Sequence, residues 1–473
     1  MGENACGHDV LIIGSEPAGL FCAGQLRQAG VSDVVVIEQG KAMPRRVCPE
    51  SALCDCRPCD VLEGEGGAGS FSDGKITLSA TRGTHGQALF TPGQEAFLAE
   101  VEQAIRRFAP AVRDYAPVAG LTALRGHEDA GLAFESYPLI HVGSDGIRAF
   151  GQAYAAQLRR DGVTIATGCQ AVRLLTEDGR AAGAVVRDRG TRRERTVFTD
   201  HVVVACGLAG TAWLESELRL AGVALRTGPA DFGIRLETTA AALEPLTGEF
   251  YDFKLARQAA GFGLRSFCVN TDGYIAAEYH RALGIRGVNG HSYLTRGSGQ
   301  SNLAIVATIT EEHCEDPKAY VRQLAARVNA AAGGYPVRQQ LGELLDATGP
   351  PAGVTATNPK TRPGRLQDVL PGGLLEAFRG YIGALGEAVP AVLAADSLLY
   401  APEIKYYAYQ VPVSPATWES TSVAGLYVIG NAAGCTASLS AAALTGIIAA
   451  NAVAARLACA AGAAPRRSRS ENG

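Results

Sequence analysis

The stretch Asp9-Val10-Leu11-Ile12-Ile13-Gly14-Ser15-Glu16-Pro17-Ala18-Gly19 decides the fold. Asp9 to Ile13, a mostly apolar run leading into a glycine, reads as a buried strand. Gly14 to Gly19 is a turn, and Leu20 to Gly30 reads as a helix closed by glycine. Val34 to Ile37 is a second short apolar strand with Glu38 at its end. Strand, turn, helix and strand in this order form the βαβ unit of a parallel sheet. A dinucleotide fingerprint asks for a first glycine to make the turn, a second to admit the pyrophosphate and a third for helix packing. Gly14 and Gly19 supply the first and third, but Glu16 stands at the second. The helix N-terminus still offers N–H groups and a positive dipole end to an anion. A carboxylate at position 16 would repel a pyrophosphate unless it turns outward. Glu38 is placed to accept from a ribose 2′-OH.

Gly64-Glu65-Gly66-Gly67-Ala68-Gly69-Ser70-Phe71-Ser72-Asp73-Gly74-Lys75 follows. So many glycines let backbone N–H groups converge as an anion nest. The competing reading is a flexible surface loop, although Phe71, Asp73 and Lys75 are odd choices for a linker. Upstream, Cys48-Pro49 and Cys54, Cys56 and Cys59 crowd into one short segment. Four thiolates suit zinc or an iron–sulfur cluster, but the spacing matches no usual ligand pattern. Metal binding by Cys48, Cys54, Cys56 and Cys59, redox thiols and plain packing all stay open, and no metal is expected.

Further along, Gln94 to Tyr115 reads as an amphipathic helix with Phe97, Val101, Ile105 and Phe108 on one face, and Gly146 to Arg160 as another. Val163–Ala166, Ala171–Leu175, Ala184–Arg187, Thr196–Phe198 and Val202–Ala205 read as a β-meander. Strand signals recur at Phe232–Leu236, Leu264–Val269 and Asn302–Thr308, with helical stretches over 316–332 and 372–388. Leu426–Ile429 reads as a buried strand and Leu439–Cys459 as the closing helix.

Composition bounds the function. The chain has 473 residues, 57 of them glycine, far above ordinary usage, and the excess is not periodic. With 43 basic and 47 acidic residues the net charge is −4, and the basic residues are scattered. That leaves no electrostatic footprint for nucleic acid. Arg466, Arg467 and Arg469 form a basic tail that reads as a solvated end. The N-terminus lacks a basic n-region, and the alanine-rich run from Ala441 to Ala450 is short for a membrane span. A cytoplasmic protein with no membrane span is expected, its oligomeric state open. Twelve cysteines are too sparse for a disulfide scaffold.

Taken together, the fingerprint, Glu38, the cysteine-rich stretch running into Gly66–Lys75, and the late Gly430-Asn431-Ala432-Ala433-Gly434 resemble the FAD-dependent dehydrogenases of largely unassigned substrate. These are distant relatives of the geranylgeranyl-reductase and glutathione-reductase-type flavoproteins. Further matches are Phe232-Gly233-Ile234-Arg235-Leu236-Glu237, Phe267-Cys268, Asn289-Gly290-His291-Ser292 and Arg365-Leu366 with Val369-Leu370-Pro371. The resemblance implies that Gly14, Glu16, Pro17, Ala18, Gly19, Glu38 and Gln39 surround the ADP half of FAD. It gives Gly67, Ala68, Gly69, Ser70 and Ser72 a cofactor-lining role and lets Val172 touch adenine through its backbone. Ala205-Cys206-Gly207 resembles the second flavoprotein motif. Gly430, Asn431 and Gly434 resemble the late motif, which usually carries aspartate toward the ribityl-phosphate. Glu16 adds a charge to the usual pattern and Asn431 removes one, so the two departures partly offset.

The fold expected is α/β: a Rossmann-type, glutathione-reductase-like FAD-binding domain with a β-meander and a mixed α+β substrate domain. The FAD-binding segments would be 8–90, 141–225 and 416–460. A helical insertion would cover 91–140, the substrate domain 226–415, and a tail 461–473. The function expected is hydride transfer between flavin N5 and a C–H or C=C of a small organic substrate. A reductase would need NAD(P)H as reductant, and a dehydrogenase another electron acceptor. A flavin monooxygenase and a degraded, non-catalytic flavoprotein acting as a binding protein are the alternatives. Asp73, Lys75, His291, Lys405 and Tyr407 are the candidate catalytic residues, and Cys268 reads as core.

Overall fold

The computed structural model describes residues 5–48, 59–84, 89–280, 283–346, 348–405 and 408–463. Two hydrophobic cores organise them. The first surrounds a five-stranded parallel sheet in the order Leu426–Val428, Val202–Val204, Val10–Ile13, Val34–Glu38, Thr164–Thr167. The inner strands are nearly unbroken Val, Leu and Ile and are fully buried, as a parallel sheet covered on both faces requires. Helix Pro17–Gln28 carries the chain from Val10–Ile13 to Val34–Glu38, and the closing helix Leu439–Ala463 packs along it. Their approach is close because Gly446 has no side chain: a Cβ there would strike the Ala18 carbonyl. Leu439–Ala460 is apolar and long enough to span a bilayer, yet half of it is buried in this packing.

The chain leaves the central strand toward Val34–Glu38 on one side, while Val202–Val204 lies on the other. Gly14 and Ala205-Cys206-Gly207 therefore sit side by side at the topological switch point, where open α/β sheets bind ligands. A Cβ on Gly14, whose φ is +103°, would strike the Ala205 carbonyl.

A second sheet of four strands, Ala5–Gly7, Glu194–Phe198, Arg180–Asp188 and Cys169–Glu177, is the meander with an added parallel edge. Of the five segments read as meander, the first and last instead complete the parallel sheet as Thr164–Thr167 and Val202–Val204. Periodicity identified the strands but not their partners. The helix expected over 94–115 is also shorter. A 3₁₀ turn at Gln94–Phe97 leads into an α-helix over Leu98–Phe108, and Arg113–Tyr115 is a strand. Pro110 lacks the N–H a continuing helix would use.

The second core lies on an eight-stranded sheet in the order Arg362–Pro363, Val337–Gln340, Leu398–Lys405, Ala230–Thr239, Gln300–Ile309, Phe262–Asn270, Lys254–Ala259, Ala133–Glu135. Helices Pro317–Ala331 and Gly372–Ala388 pack on it. The last edge strand comes from the 91–140 segment, whose helix Leu98–Phe108 instead joins the first core. A ribbon of Tyr274–His280 and Ile285–His291 flanks this sheet. Between the two cores, Lys75–Thr77, Leu139–His141 and Arg113–Tyr115 form a small sheet that sets Lys75 directly opposite His141.

Candidate active site

Glu16 occupies the N-cap position of Pro17–Gln28, with Pro17 beginning the helix, but its side chain caps nothing in that helix. It turns inward, not outward. Its carboxylate lies against Gly207, where a Cβ would collide with both oxygens, and its stem lies against Gly67 in the same way. The Ala68 N–H donates to it. Burial first, then the neighbouring Glu38 carboxylate, raises its pKa to about 8, against the opposing pull of Arg46 and of the Ala68 N–H.

Glu38 does not stand ready for a ribose. One oxygen accepts from Ser15 N at 3.1 Å and Ser15 Oγ at 2.8 Å, and the other from Gly40 N at 2.8 Å and Gly64 N at 3.1 Å. Those four bonds fill a carboxylate's usual acceptor sites, so a ribose hydroxyl would displace one of them. The expected adenine contact is similarly engaged: the Val172 carbonyl accepts from Trp213 Nε1 at 3.1 Å. Gln39 offers its carbonyl to Arg189 at 3.2 Å. Within the glycine loop, Ser70 Oγ donates to the Gly66 carbonyl and Ser72 Oγ to the Gly69 carbonyl, which stiffens the 3₁₀ turn Ala68–Phe71. Gly69 packs on Pro17, so the loop lies against the helix start.

Arg46 was missed by sequence reasoning. It is fully buried, donates to the carbonyls of Asp60, Val61 and Glu65, and lies 4.5 Å from the Phe71 ring centroid. Burial brings its pKa down to about 10, opposed by Glu38 and Glu16. Of the adjacent Arg45 and Arg46, nothing in the sequence says that the second turns inward. In the cysteine-rich segment, Cys54 and Cys56 lie outside the described residues, Cys59 is buried and Cys48 is half-buried.

At the late motif, Gly430 N donates to Thr445 Oγ1 at 2.8 Å, and Gly434 closes the turn in the left-handed region at φ +77°. Asn431 Nδ2 donates to the Thr436 carbonyl at 3.1 Å. Asn431 Oδ1 and Thr436 Oγ1 are buried with no partner among the described residues. Orphaned polar atoms of this kind need a ligand or water, and an acceptor beside a hydroxyl suits a polyol chain. The donor set thus fits a flavin dinucleotide: a helix N-terminus, bare glycine backbone at 67 and 207, and unfilled polar atoms at the late motif. Only Glu16 intrudes.

The glycine loop ends in a buried polar cluster. Lys75 Nζ lies 2.8 Å from Asp73 Oδ2 and 3.4 Å from Asp252 Oδ1, and donates to the Val269 carbonyl at 2.7 Å. Its side chain is only 5% exposed. Burial would raise the Asp73 pKa, but the Lys75 ammonium, with help from His141 and Asn270, holds it at about 2. Asp252 also accepts from Tyr137 Oη at 2.7 Å and Val269 N at 3.0 Å. His141 Nε2 is 3.0 Å from the Asp73 carbonyl, an acceptor only, so this nitrogen carries the hydrogen. Ser292 Oγ lies 3.2 Å from the same nitrogen, and Tyr251 Oη donates to that Ser292 oxygen at 2.7 Å while its ring stacks on the imidazole. The Nδ1 atom of His141 is buried and has no partner among the described residues. Burial pulls the imidazole down to about pKa 4, so it is neutral at pH 7.

Of the candidate catalytic residues, Asp73 and Lys75 fall in this cluster. Lys405 belongs to an adjoining network, 3.0 Å from Glu403, which grips the fully buried Arg235 through both oxygens at 2.6 and 2.8 Å. Arg235 also donates to the Cys268 carbonyl and to Asn270 Oδ1, and Asn270 Nδ2 donates to Asp73 Oδ2, which links the two networks. His291 ends its strand beside Tyr293 and feels the Asp73 charge, with burial as the main pull lowering its pKa. Tyr407 lies outside the described residues. Cys268 is half-buried in a left-handed backbone (φ +44°), and burial raises its thiol to about 11, which makes it no ready nucleophile. His141, Tyr251, Asp252 and Asn270 were not singled out from sequence. The available signal was a histidine and an aspartate set in apolar runs, Leu139-Ile140-His141-Val142 and Tyr251-Asp252-Phe253.

Residues 9–256 match the model of the FAD binding domain family. The chain belongs to that family and is a flavin-dependent oxidoreductase in the general sense. It is similar to an uncharacterized protein of Clostridium beijerinckii, 24% identical over 471 residues that cover 92% of this chain and 79% of the other. Among solved structures it is similar to a geranylgeranyl bacteriochlorophyll reductase-like protein from Thermoplasma acidophilum. That likeness has TM-score 0.45 and 12% identity, covering 96% of this chain and 80% of that one. It is also similar to a flavoprotein/dehydrogenase from Cytophaga hutchinsonii, with TM-score 0.45 and 13% identity, covering 96% and 79%.

Proposed function

We propose that this chain exchanges hydride with a C–H or C=C bond of a small organic substrate, and that His141 handles the accompanying proton. The observation that carries this reading is the buried neutral imidazole whose Nε2–H is held by the Asp73 carbonyl and whose Nδ1 lone pair has no partner among the described residues. FAD, when bound, would supply the hydride acceptor or donor at its isoalloxazine ring. Helix Pro17–Gln28, Ala68, Gly207, Asn431 and Thr436 would hold it. Asp73, Lys75 and Asp252 fix the loop that presents the Asp73 carbonyl to the imidazole, and so fix its tautomer. Tyr251, stacked on the imidazole, and Ser292, beside Nε2, hold the ring plane. Such a positioned base contributes on the order of 10²–10⁴ in rate.

The test is a visible spectrum of the purified protein, followed by anaerobic addition of NADPH and, separately, photoreduction and a panel of small unsaturated acceptors. Bleaching by NADPH supports a reductase or monooxygenase. Reoxidation of the photoreduced flavin by an unsaturated acceptor under argon supports hydride exchange. The rival reading, a binding protein without flavin, draws on Glu16 inside the cradle. A protein that stays colourless and takes up no FAD at any pH would decide for it.

A further inference from the structure

Glu16 places a carboxylate inside the dinucleotide cradle, where a phosphate would not tolerate it as a neighbour. Its carboxylate sits where the second fingerprint position meets the glycine loop and the Ala205-Cys206-Gly207 turn. It takes the Ala68 N–H, a donor of the kind that glycine-rich loops offer to phosphate oxygens. Gly67 and Gly207, bare where a dinucleotide would need close approach, are filled by the protein's own side chain.

We infer that Glu16 is an internal stand-in for the cofactor's pyrophosphate, so that FAD enters the cradle only when the Glu16 carboxyl takes up a proton and gives up its place. A protonated carboxyl can donate to a phosphate oxygen, whereas the carboxylate repels one. The charged and titratable groups facing it are Glu38 at the end of Val34–Glu38, Arg46 in the following loop and Cys206 in the turn after Val202–Val204. Glu38 and the loss of hydration favour the protonated form, and Arg46 opposes them. Cys206, pushed up by burial with Glu16 the next contributor, stays a neutral thiol across the working range. In the free cradle the carboxyl is pushed up to about 8, and the negative charge of two neighbouring phosphates would raise it further. Binding is then insensitive to pH below about 8 and weakens about tenfold for each pH unit above it, the slope for one proton taken up.

The experiment measures FAD affinity by flavin fluorescence quenching from pH 6.5 to 9.5 on the full chain, beside Glu16→Gln and Glu16→Gly, with far-UV circular dichroism confirming that each is folded. The wild type is expected to lose about tenfold in affinity between pH 7 and 9. Both variants are expected to bind with no pH slope, and Glu16→Gly at least as tightly as the wild type at pH 7. A flat wild-type profile, or a slope that persists in both variants, overturns the inference while leaving FAD binding intact. Failure of every form, Glu16→Gly included, to bind FAD at any pH overturns the inference together with the flavin reading.

Discussion

Replacing Lys75 by Met tests the polar cluster directly. The ammonium is the counter-charge of two buried carboxylates, at 2.8 Å and 3.4 Å, and a donor to the Val269 carbonyl. Holding Asp73 at about 2 instead of its ordinary 3.8 is worth roughly 2–3 kcal/mol at about 1.4 kcal/mol per pKa unit. Removing one partner of a buried pair costs about 3–5 kcal/mol, because the remaining charge is stranded. Lys75→Met should therefore lose about 3–5 kcal/mol at pH 7 in equilibrium urea denaturation followed by far-UV circular dichroism. The pH dependence gives the sharper signature. In the wild type the Asp73 carboxyl is depressed, so its contribution is full above its ordinary value and fades only as pH falls toward 2. In the variant, burial is opposed only by His141 and Asn270 at Asp73 and by Lys254 and Tyr137 at Asp252, so both carboxyls rise, and falling pH protonates them and relieves the cost. The gap between the two proteins should narrow as pH drops from 7 to 4.5. A loss under about 1 kcal/mol at pH 7, or a gap that stays constant or widens on acidification, would refute the reasoning.

Three further outcomes are expected. His141→Gln keeps a donor for the Asp73 carbonyl but no titratable lone pair. With whichever acceptor reoxidises the photoreduced flavin, its rate should fall on the order of 10²–10⁴ while flavin content per chain is unchanged; a parallel loss of flavin would make the residue structural. Gly207→Ala should drive the new methyl into the Glu16 carboxylate, so its urea-denaturation cost should drop by about 0.5–3 kcal/mol when Glu16→Gly is also present; additive costs would contradict that contact. Asn431→Leu removes an unpartnered acceptor, and FAD affinity by fluorescence should weaken about 2–10-fold, the worth of one hydrogen bond. No change would remove Oδ1 as a cofactor contact.

Much of the first core was legible because its signals are local. Val10–Ile13 and Val34–Glu38 are apolar runs set off by glycine, and the fingerprint ties a strand to a helix within one short stretch. The meander was misread because strands in different sheets look alike in sequence. Nothing in Val202–Val204 says that it pairs with Val10–Ile13 rather than with Glu194–Phe198. Asp73 and Lys75 were found because they interrupt a glycine run. His141, Asp252 and Asn270 were not, because their meaning comes from contacts across 68 to 197 residues of chain. The direction of the Glu16 side chain was likewise beyond sequence. It depends on two bare glycines, at 67 and 207, closing around it from separate segments.

The loop 64–75 connects these two problems physically. At Gly67 it touches Glu16, and six residues later Asp73 enters the cluster that holds His141. Six residues span at most about 20 Å when extended, and here part of that length is wound into the Ala68–Phe71 turn and fixed by the Ser70 and Ser72 hydroxyls. A short pre-bonded segment transmits displacement instead of absorbing it. If the Glu16 carboxyl leaves the cradle, Ala68 loses an acceptor and Gly67 a neighbour, and the far end of the same loop carries the carbonyl that fixes the His141 tautomer. Loading of the cradle and orientation of the proton-handling imidazole should therefore change together. Bare glycine at 67 and at 74 is what lets this one segment pack closely against both Glu16 and Gly143.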